Sequence, residues 1–202
     1  MTRRSIPILL LALLAACASS PTPRYYTLGA AAENAAPTPP ASDALSIWVA
    51  PVTLPESVDR PQMVVRVAPN RVAILDGHRW AEPLAGAMAR AIAADLAALL
   101  GGARVSAEAQ HAATGAQIRV LVDVQRFESV PGQGVTLEAL WSVRRQGETD
   151  GQRGQALINE AVRGAPADAA GAPDYDALAA AHSRALASLS RDIAEAVRPA
   201  KR

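Results

Sequence analysis

Three consecutive strand-like segments, two of which alternate apolar and polar residues, place the strongest constraint on the fold. In the first segment Ile118 and Val120 flank the polar Arg119, the same period of two recurs in the second segment, and the third segment supplies a further strand. The segments are residues 117–127, 135–143 and 155–162, with Gly-rich turns at 131–134 and 147–154 between them. A period of two is typical of strands with one face in the core. The sequence therefore predicts an antiparallel meander whose apolar face needs a covering layer.

Two long segments with helical spacing are predicted on either side of that meander. In residues 82–100 apolar side chains recur every three or four positions, Pro83 suits the first turn, and Gly101 follows the last turn. Residues 174–198 show the same spacing, with Asp174 placed to cap the first turn. The second helix is expected to lay its apolar stripe on the sheet. The sequence thus combines helices and strands in an α/β fold.

Shorter segments predict further strands and a single domain. Strands are expected at residues 24–28, 45–54 and 103–107, and residues 63–67 and 71–75 form a hairpin that turns at Pro69. A length of 202 residues suits one domain, at about 150 residues per domain. We place that domain at residues 24–198, with an Ala/Pro-rich linker or loop at 29–44 and a tail at 199–202.

The first 16 residues have the layout of a secretory signal peptide, with a basic start and a short apolar run. That run is too short for the roughly 20 residues of a membrane-spanning helix. Arg3–Arg4 also leaves a twin-arginine export signal open. The sequence Leu14-Ala15-Ala16-Cys17 resembles the bacterial lipobox, and Cys17 is the only cysteine. We expect Cys17 to become the lipidated N-terminus, although a chance cysteine or a buried thiol is the alternative.

The lipobox resemblance also implies a compartment. Residues 17–23 are small, polar and Pro-bearing, as expected of a short tether between lipid and domain. The residue after Cys17 is Ala18 rather than Asp, which in the sorting pattern of lipoproteins implies release to the outer membrane. Several acyl chains on one residue give an effectively permanent anchor. The domain is therefore expected on the periplasmic face of the outer membrane.

The composition argues against several classes of function. The 20 Lys and Arg residues balance 19 Asp and Glu residues, so no basic excess exists to bind nucleic acid. One Cys and three His limit metal chemistry, and no cofactor motif is present. His182 falls on the apolar stripe of the last helix and is interpreted as a core residue. Asp76, His78 and Glu82 lie within seven residues, which leaves an acid–base or metal cluster as an alternative.

Two charged, Pro-bearing segments are the candidate binding site for a partner or a lipid. One segment follows a predicted strand and carries Asp59, Arg60 and Gln62; the other begins a predicted helix and carries Arg79, Trp80 and Glu82. We predict that the two segments form one surface unit, in which Trp80 is the kind of side chain that anchors interfaces. A structural explanation is also open, because Glu82 suits a helix N-terminus and Asp59 with Arg60 suits a loop.

The order of these motifs resembles the PqiC/YmbA family of ABC-type transport auxiliary lipoproteins. The matching stretches are the lipobox at 14–17 and residues 19–21, 24–28, 54–62, 70 and 79–84. The resemblance implies a three-layer α/β/α domain with a mixed sheet of roughly five strands. It also implies a non-catalytic lipoprotein that assists an MCE-type system carrying phospholipid between the two membranes. The insert at 29–44 departs from the family pattern.

The expected partners follow from that resemblance: an MCE-domain protein with its inner-membrane transporter, phospholipid and the outer membrane. A ring-forming homo-oligomer would match a tubular partner and is left open. Two rival functions remain at this point. One is a lipid-anchored envelope hydrolase that uses scattered Ser, Asp and His residues, and the other is a purely structural envelope lipoprotein. No catalytic or metal-binding residues are assigned.

Overall fold

The computed structural model describes residues 22–29, 44–107, 110–163 and 173–198. The predicted signal peptide, Cys17, most of the tether, nearly all of the Ala/Pro-rich segment and the tail lie outside these residues. The strands are β1 (Arg24–Tyr26), β2 (Ser46–Val49), β3 (Gln62–Ala68), β4 (Arg71–Trp80), β5 (Arg104–Ala107), β6 (Ile118–Val130), β7 (Gly134–Arg145) and β8 (Gln152–Ala161). The helices are α1 (Leu84–Leu99), α2 (Gln110–Gly115) and α3 (Tyr175–Val197). No helix in the described ranges is long and apolar enough to cross a bilayer.

The strands form two sheets. The larger sheet has the order β5-β2-β6-β7-β8, and the smaller has the order β1-β4-β3. In the larger sheet β2 pairs in parallel with β5 and β6, whereas β6, β7 and β8 form an antiparallel meander. The predicted α/β fold with a mixed five-stranded sheet and a meander is confirmed. The three-stranded sheet consists of the predicted hairpin and the predicted strand near residue 24, and the sequence did not predict that these strands form a separate sheet.

Helices cover the apolar face of the larger sheet. The long helices α1 and α3 contact each other, and α3 also contacts β7 and β8. Ile47, Val120 and Leu137 point toward these helices and are fully buried. The short helix α2 lies on the opposite face, where Arg119 donates a hydrogen bond to the Ala113 carbonyl at 3.0 Å. The two faces of the sheet therefore carry helices at its parallel end.

The smaller sheet extends the hydrophobic core along β6, past the residues that pair with β2. Strand β3 contacts the C-terminal half of β6, and Met63 and Val65 on β3 are buried in the same cluster as Phe127 on β6. On the outer side Arg66 and Glu128 form an ion pair at 2.7 Å. One hydrophobic core consequently extends under both sheets.

Strand β4 is longer than the predicted 71–75 segment. Its pairing with β3 shifts register between Gln62 and Met63: Met63 lies opposite Leu75, whereas Gln62 lies opposite Arg79. Gly77 falls within the residues of β4 that this shift leaves unpaired. After the irregularity β4 continues to Trp80, and its last three residues pair in parallel with β1. A short alternating pattern cannot reveal such an extension, because a bulge interrupts the period.

Candidate functional site

The two charged segments predicted from the sequence are in direct contact. The backbone N–H of Trp80 donates to the Pro61 carbonyl at 2.7 Å, and Gln62 lies opposite Arg79 in the β3–β4 ladder. Residues 55–60 form a compact turn before this point, in which the N–H groups of Val58 and Asp59 donate to the Pro55 carbonyl at 3.0 and 3.2 Å. We refer to residues 59–62 and 79–82 together as the candidate surface.

Polar side chains of the candidate surface extend across the outer face of the smaller sheet. Arg79 is partly exposed, and its Nε donates to the Asp76 carbonyl at 3.0 Å. Tyr25 on β1 lies next to Arg79 in the parallel ladder and is 63% exposed. With Gln62 on the other side, these residues form a row across β1, β4 and β3. The row combines an aromatic ring, a cation and an amide, and Asp59 is exposed at the end of the preceding loop.

Trp80 does not belong to the exposed part of this surface, and its predicted role as an interface anchor is corrected. Its side chain is only 5% exposed, and its ring centroid lies 6.2 Å from that of Phe127 and 5.9 Å from that of His182. Trp80 lies beside the buried Tyr26 in the β1–β4 ladder. Since residues in register on neighbouring strands point to the same face of the sheet, the Trp80 side chain also points into the core. Trp80 supports the candidate surface from below.

The remaining two predicted residues have different surroundings. Glu82 forms an ion pair with Arg90 on α1, and both side chains are well exposed. Because both side chains remain exposed, the pair contributes little to stability. Arg60 is half-buried, and its Nε is buried without a hydrogen-bond partner among the described residues. Arg60 is therefore the member of the candidate surface with unused hydrogen-bonding capacity.

A buried Ser–His pair bears on the rival hydrolase interpretation. The Oγ of Ser129 lies 2.6 Å from Nε2 of His182, and the imidazole stacks on Phe127 at 3.9 Å between ring centroids. Both side chains are buried, and desolvation lowers the pKa of His182 to about 3. Because both side chains are buried, a substrate does not reach this pair, and the pair gives no support to the hydrolase interpretation. The prediction of His182 as a core residue is confirmed.

Asp76, His78 and Glu82 do not assemble into a metal site. Within the described part of the chain no group of three His, Cys, Asp or Glu side chains is arranged to hold a metal ion. His78 instead bonds to Tyr26, whose hydroxyl lies 2.7 Å from Nδ1.

This bond belongs to an aromatic cluster that sequence reasoning missed. The ring of Tyr175, at the start of α3, lies 4.0 Å from that of His78 on β4, which in turn stacks with Tyr26 on β1 at 5.7 Å. Burial is the main cause that lowers the pKa of His78, with Arg24 acting in the same direction. The cluster joins three elements that are distant in sequence, so no local pattern signals it. It fastens β1 to the domain beside the candidate surface.

Comparisons with known proteins agree with this fold. The family model described as the ABC-type transport auxiliary lipoprotein component matches residues 26–194. A solved structure of an uncharacterized protein matches with a TM-score of 0.64 and 20% identity over 88% of this chain and 100% of that chain. A Xanthomonas campestris protein of the DUF330 family matches with a TM-score of 0.60 and 18% identity, over 85% and 92% of the two chains. No functionally curated protein matches the chain.

Proposed function

This chain belongs to the ABC-type transport auxiliary lipoprotein family, and we propose that it is the non-catalytic outer-membrane component of an MCE-type phospholipid transport system. The observation that carries the proposal is the family match, which spans residues 26–194. In this proposal the domain receives the periplasmic end of an MCE protein at the outer membrane. The energy for transport comes from the inner-membrane transporter.

The anchor in this proposal is Cys17. Arg24 at the start of β1 lies seven positions after Cys17, and a fully extended chain over seven positions spans at most about 25 Å. Since β1 pairs with β4 next to Arg79, the candidate surface is held within this reach of the acyl chains. A partner that docks there is brought close to the membrane to which lipid is delivered.

The lipid anchor is tested by replacing the thiol. Cys17→Ser should abolish incorporation of a radiolabelled fatty acid into the protein and leave the unprocessed precursor, because the chain has no other cysteine. Cells that express the wild-type chain provide the reference. Undiminished label on the substituted protein would show that Cys17 is not the lipidation site.

Docking at the candidate surface rests on side chains that are available to a partner. Gln62 and Arg79 lie on the outer face of the smaller sheet, and Asp59 precedes them in the exposed loop. Electrostatic complementarity at such a surface gives specificity and speeds association. Reversing a charge there should therefore weaken binding without disturbing the core.

A pull-down of the cognate MCE protein tests this surface. Arg79→Glu and Asp59→Arg should each reduce the recovered MCE protein, while the melting temperature stays within a few degrees of the wild type. Arg71→Glu is the matched control, because Arg71 is an exposed arginine on the same strand but at the distant hairpin end. Full recovery with both site variants would show that the partner binds elsewhere. A loss with Arg71→Glu as well would indicate non-specific electrostatics.

A further inference from the structure

Two arginines lie directly opposite each other at the parallel end of the larger sheet. Arg119 on β6 pairs with Arg144 on β7 in the antiparallel ladder. Like charges at directly opposed positions destabilise a sheet. At the other end of the same two strands the arrangement is complementary, since Arg126 lies opposite Glu138 and forms an ion pair with it at 3.4 Å. The Arg119–Arg144 arrangement therefore needs an explanation.

Among the residues that the structure describes, these two arginines, like Arg71 and Arg79, have no carboxylate partner. Arg66 and Arg184 form ion pairs with Glu128 and Glu160. Within the described residues no ion pair involves Arg119, Arg144 or the adjacent Arg145. Their guanidinium groups therefore give this end of the sheet a local positive charge.

Arg119, Arg144 and Arg145 are among the residues that line one cleft. Arg119 and Arg144 point to the same face of the sheet, whereas the side chain of Arg145 points to the opposite face, toward α3. The volume of the cleft is about 200 Å³, and its walls include Thr114 in the short helix α2 and Glu148 in the β7–β8 turn. Arg119 is held by its bond to the Ala113 carbonyl at 3.0 Å, and Arg145 by a bond to the Val197 carbonyl at 2.8 Å. Of the two cations that point to the cleft face of the sheet, Arg119 is thus positioned before any ligand arrives, which lowers the entropic cost of binding.

We propose that this cleft is a binding site for a phosphoryl anion. Planar guanidinium groups match phosphate oxygens through paired hydrogen bonds, and Thr114 adds a hydroxyl donor. Glu148 is the one carboxylate in the wall, so the lining keeps an excess of positive charge. A water molecule occupies about 30 Å³ in the liquid, so the cleft has room for a phosphate group and its remaining hydration. The source of the phosphoryl group is either free phosphate or a phospholipid headgroup.

The test uses the full-length protein in a non-ionic detergent. The side-chain Nε–H signals of its arginines are followed by NMR during titration with inorganic phosphate or with glycerophosphoglycerol, the deacylated headgroup of phosphatidylglycerol. We expect saturable shifts of the Arg119 and Arg144 signals. Binding of the phosphodiester would indicate a lipid headgroup as the source, whereas binding of inorganic phosphate alone would indicate free phosphate. Failure of both ligands, or equal shifts with sodium chloride at the same ionic strength, would overturn the proposal.

Three substitutions sharpen the test. Arg144→Gln should weaken binding about tenfold or more, since a hydrogen bond to a charged group is lost. Arg71→Gln removes an exposed arginine far from the cleft and should leave the affinity unchanged. Glu148→Gln removes the repelling carboxylate and should tighten binding severalfold. If Arg144→Gln binds phosphate as the wild type does, the cleft is not the site. This outcome is independent of whether the chain assists an MCE protein.

Discussion

At the scale of single residues, His182 makes stability depend on pH. Its pKa falls from 6.5 to about 3 because burial disfavours the charged imidazole. Between these two pKa values the unfolded chain binds a proton that the folded chain does not, so stability is lost as the pH falls through that window. The slope attributable to His182 is at most about 1.4 kcal/mol per pH unit.

Urea unfolding at pH 7, 6 and 5 measures this contribution. His182→Gln should be less stable at neutral pH, because the stacking on Phe127 is lost, but its stability should decline less steeply with acid. His78, whose pKa is also lowered, remains in both proteins and provides the common background. Equal slopes for the two proteins would contradict the assignment to His182.

Trp80 is the second residue whose burial gives a clear expectation. Trp80→Ala should lower the free energy of unfolding by about 3–5 kcal/mol, because it leaves a cavity against Phe127 and His182. Trp80→Phe keeps most of the ring and should cost markedly less. Equilibrium denaturation of both variants tests this. An unchanged midpoint for Trp80→Ala would mean that the ring is not packed in the core.

These residues show what the sequence can and cannot predict about a side chain. His182 was predicted in the core because its spacing on α3 places it on the apolar stripe, and helical spacing is a local property. The inward orientation of Trp80 depends on the parity of β4, and the register shift opposite Gln62 and Met63 alters that parity. That Arg119 on β6 lies opposite Arg144 on β7 depends on strand register, which sequence periodicity does not determine.

At the scale of elements, the first turn of α3 depends on its cap. The Asp174 carboxylate accepts a hydrogen bond from the Ala177 N–H at 2.9 Å. Asp174→Ala should therefore cost about 1 kcal/mol. Since Tyr175 in that turn packs on His78, fraying should also loosen the contact with β4.

The comparison of Asp174→Ala with Asp174→Asn separates capping from charge. Asparagine retains an acceptor oxygen and should preserve most of the stability, whereas alanine removes it. Hydrogen exchange of the Ala177 N–H is the most direct measurement and should accelerate only in the alanine variant. Equal exchange in all three proteins would show that the cap does not hold this turn.

The elements themselves were largely predictable, whereas their assembly was only partly so. The meander and both long helices follow from periods of two and of three to four, which local sequence carries. The separate smaller sheet arises from the parallel pairing of β1 with β4, between residues more than 50 positions apart, such as Arg24 and His78. The candidate surface was predicted as one unit, and its two segments do meet, but which of its side chains are exposed depended on that pairing.

At the scale of the whole molecule, the two proposed binding regions lie at opposite ends of β6. The candidate surface adjoins Phe127 through Trp80, and the arginine cleft includes Arg119. Eight residues of strand correspond to about 26 Å. If the tether holds the β1 end near the membrane, the cleft is turned away from the anchoring bilayer. Under the proposed function, a phosphoryl ligand would then reach the cleft from the periplasmic side, where we propose that lipid in transit arrives.

The final prediction is that the domain folds without its lipid. Its core is covered by protein: the apolar stripes of α1 and α3 pack against each other and on the sheet, and Leu96, Leu186 and Ile193 are fully buried. A truncated chain that lacks residues 1–23 should therefore give mixed helical and sheet circular dichroism with one cooperative thermal transition. The full-length protein in detergent should melt within a few degrees of it. A truncated chain that remains unfolded, or that folds only when lipid is added, would show that the membrane forms part of the fold.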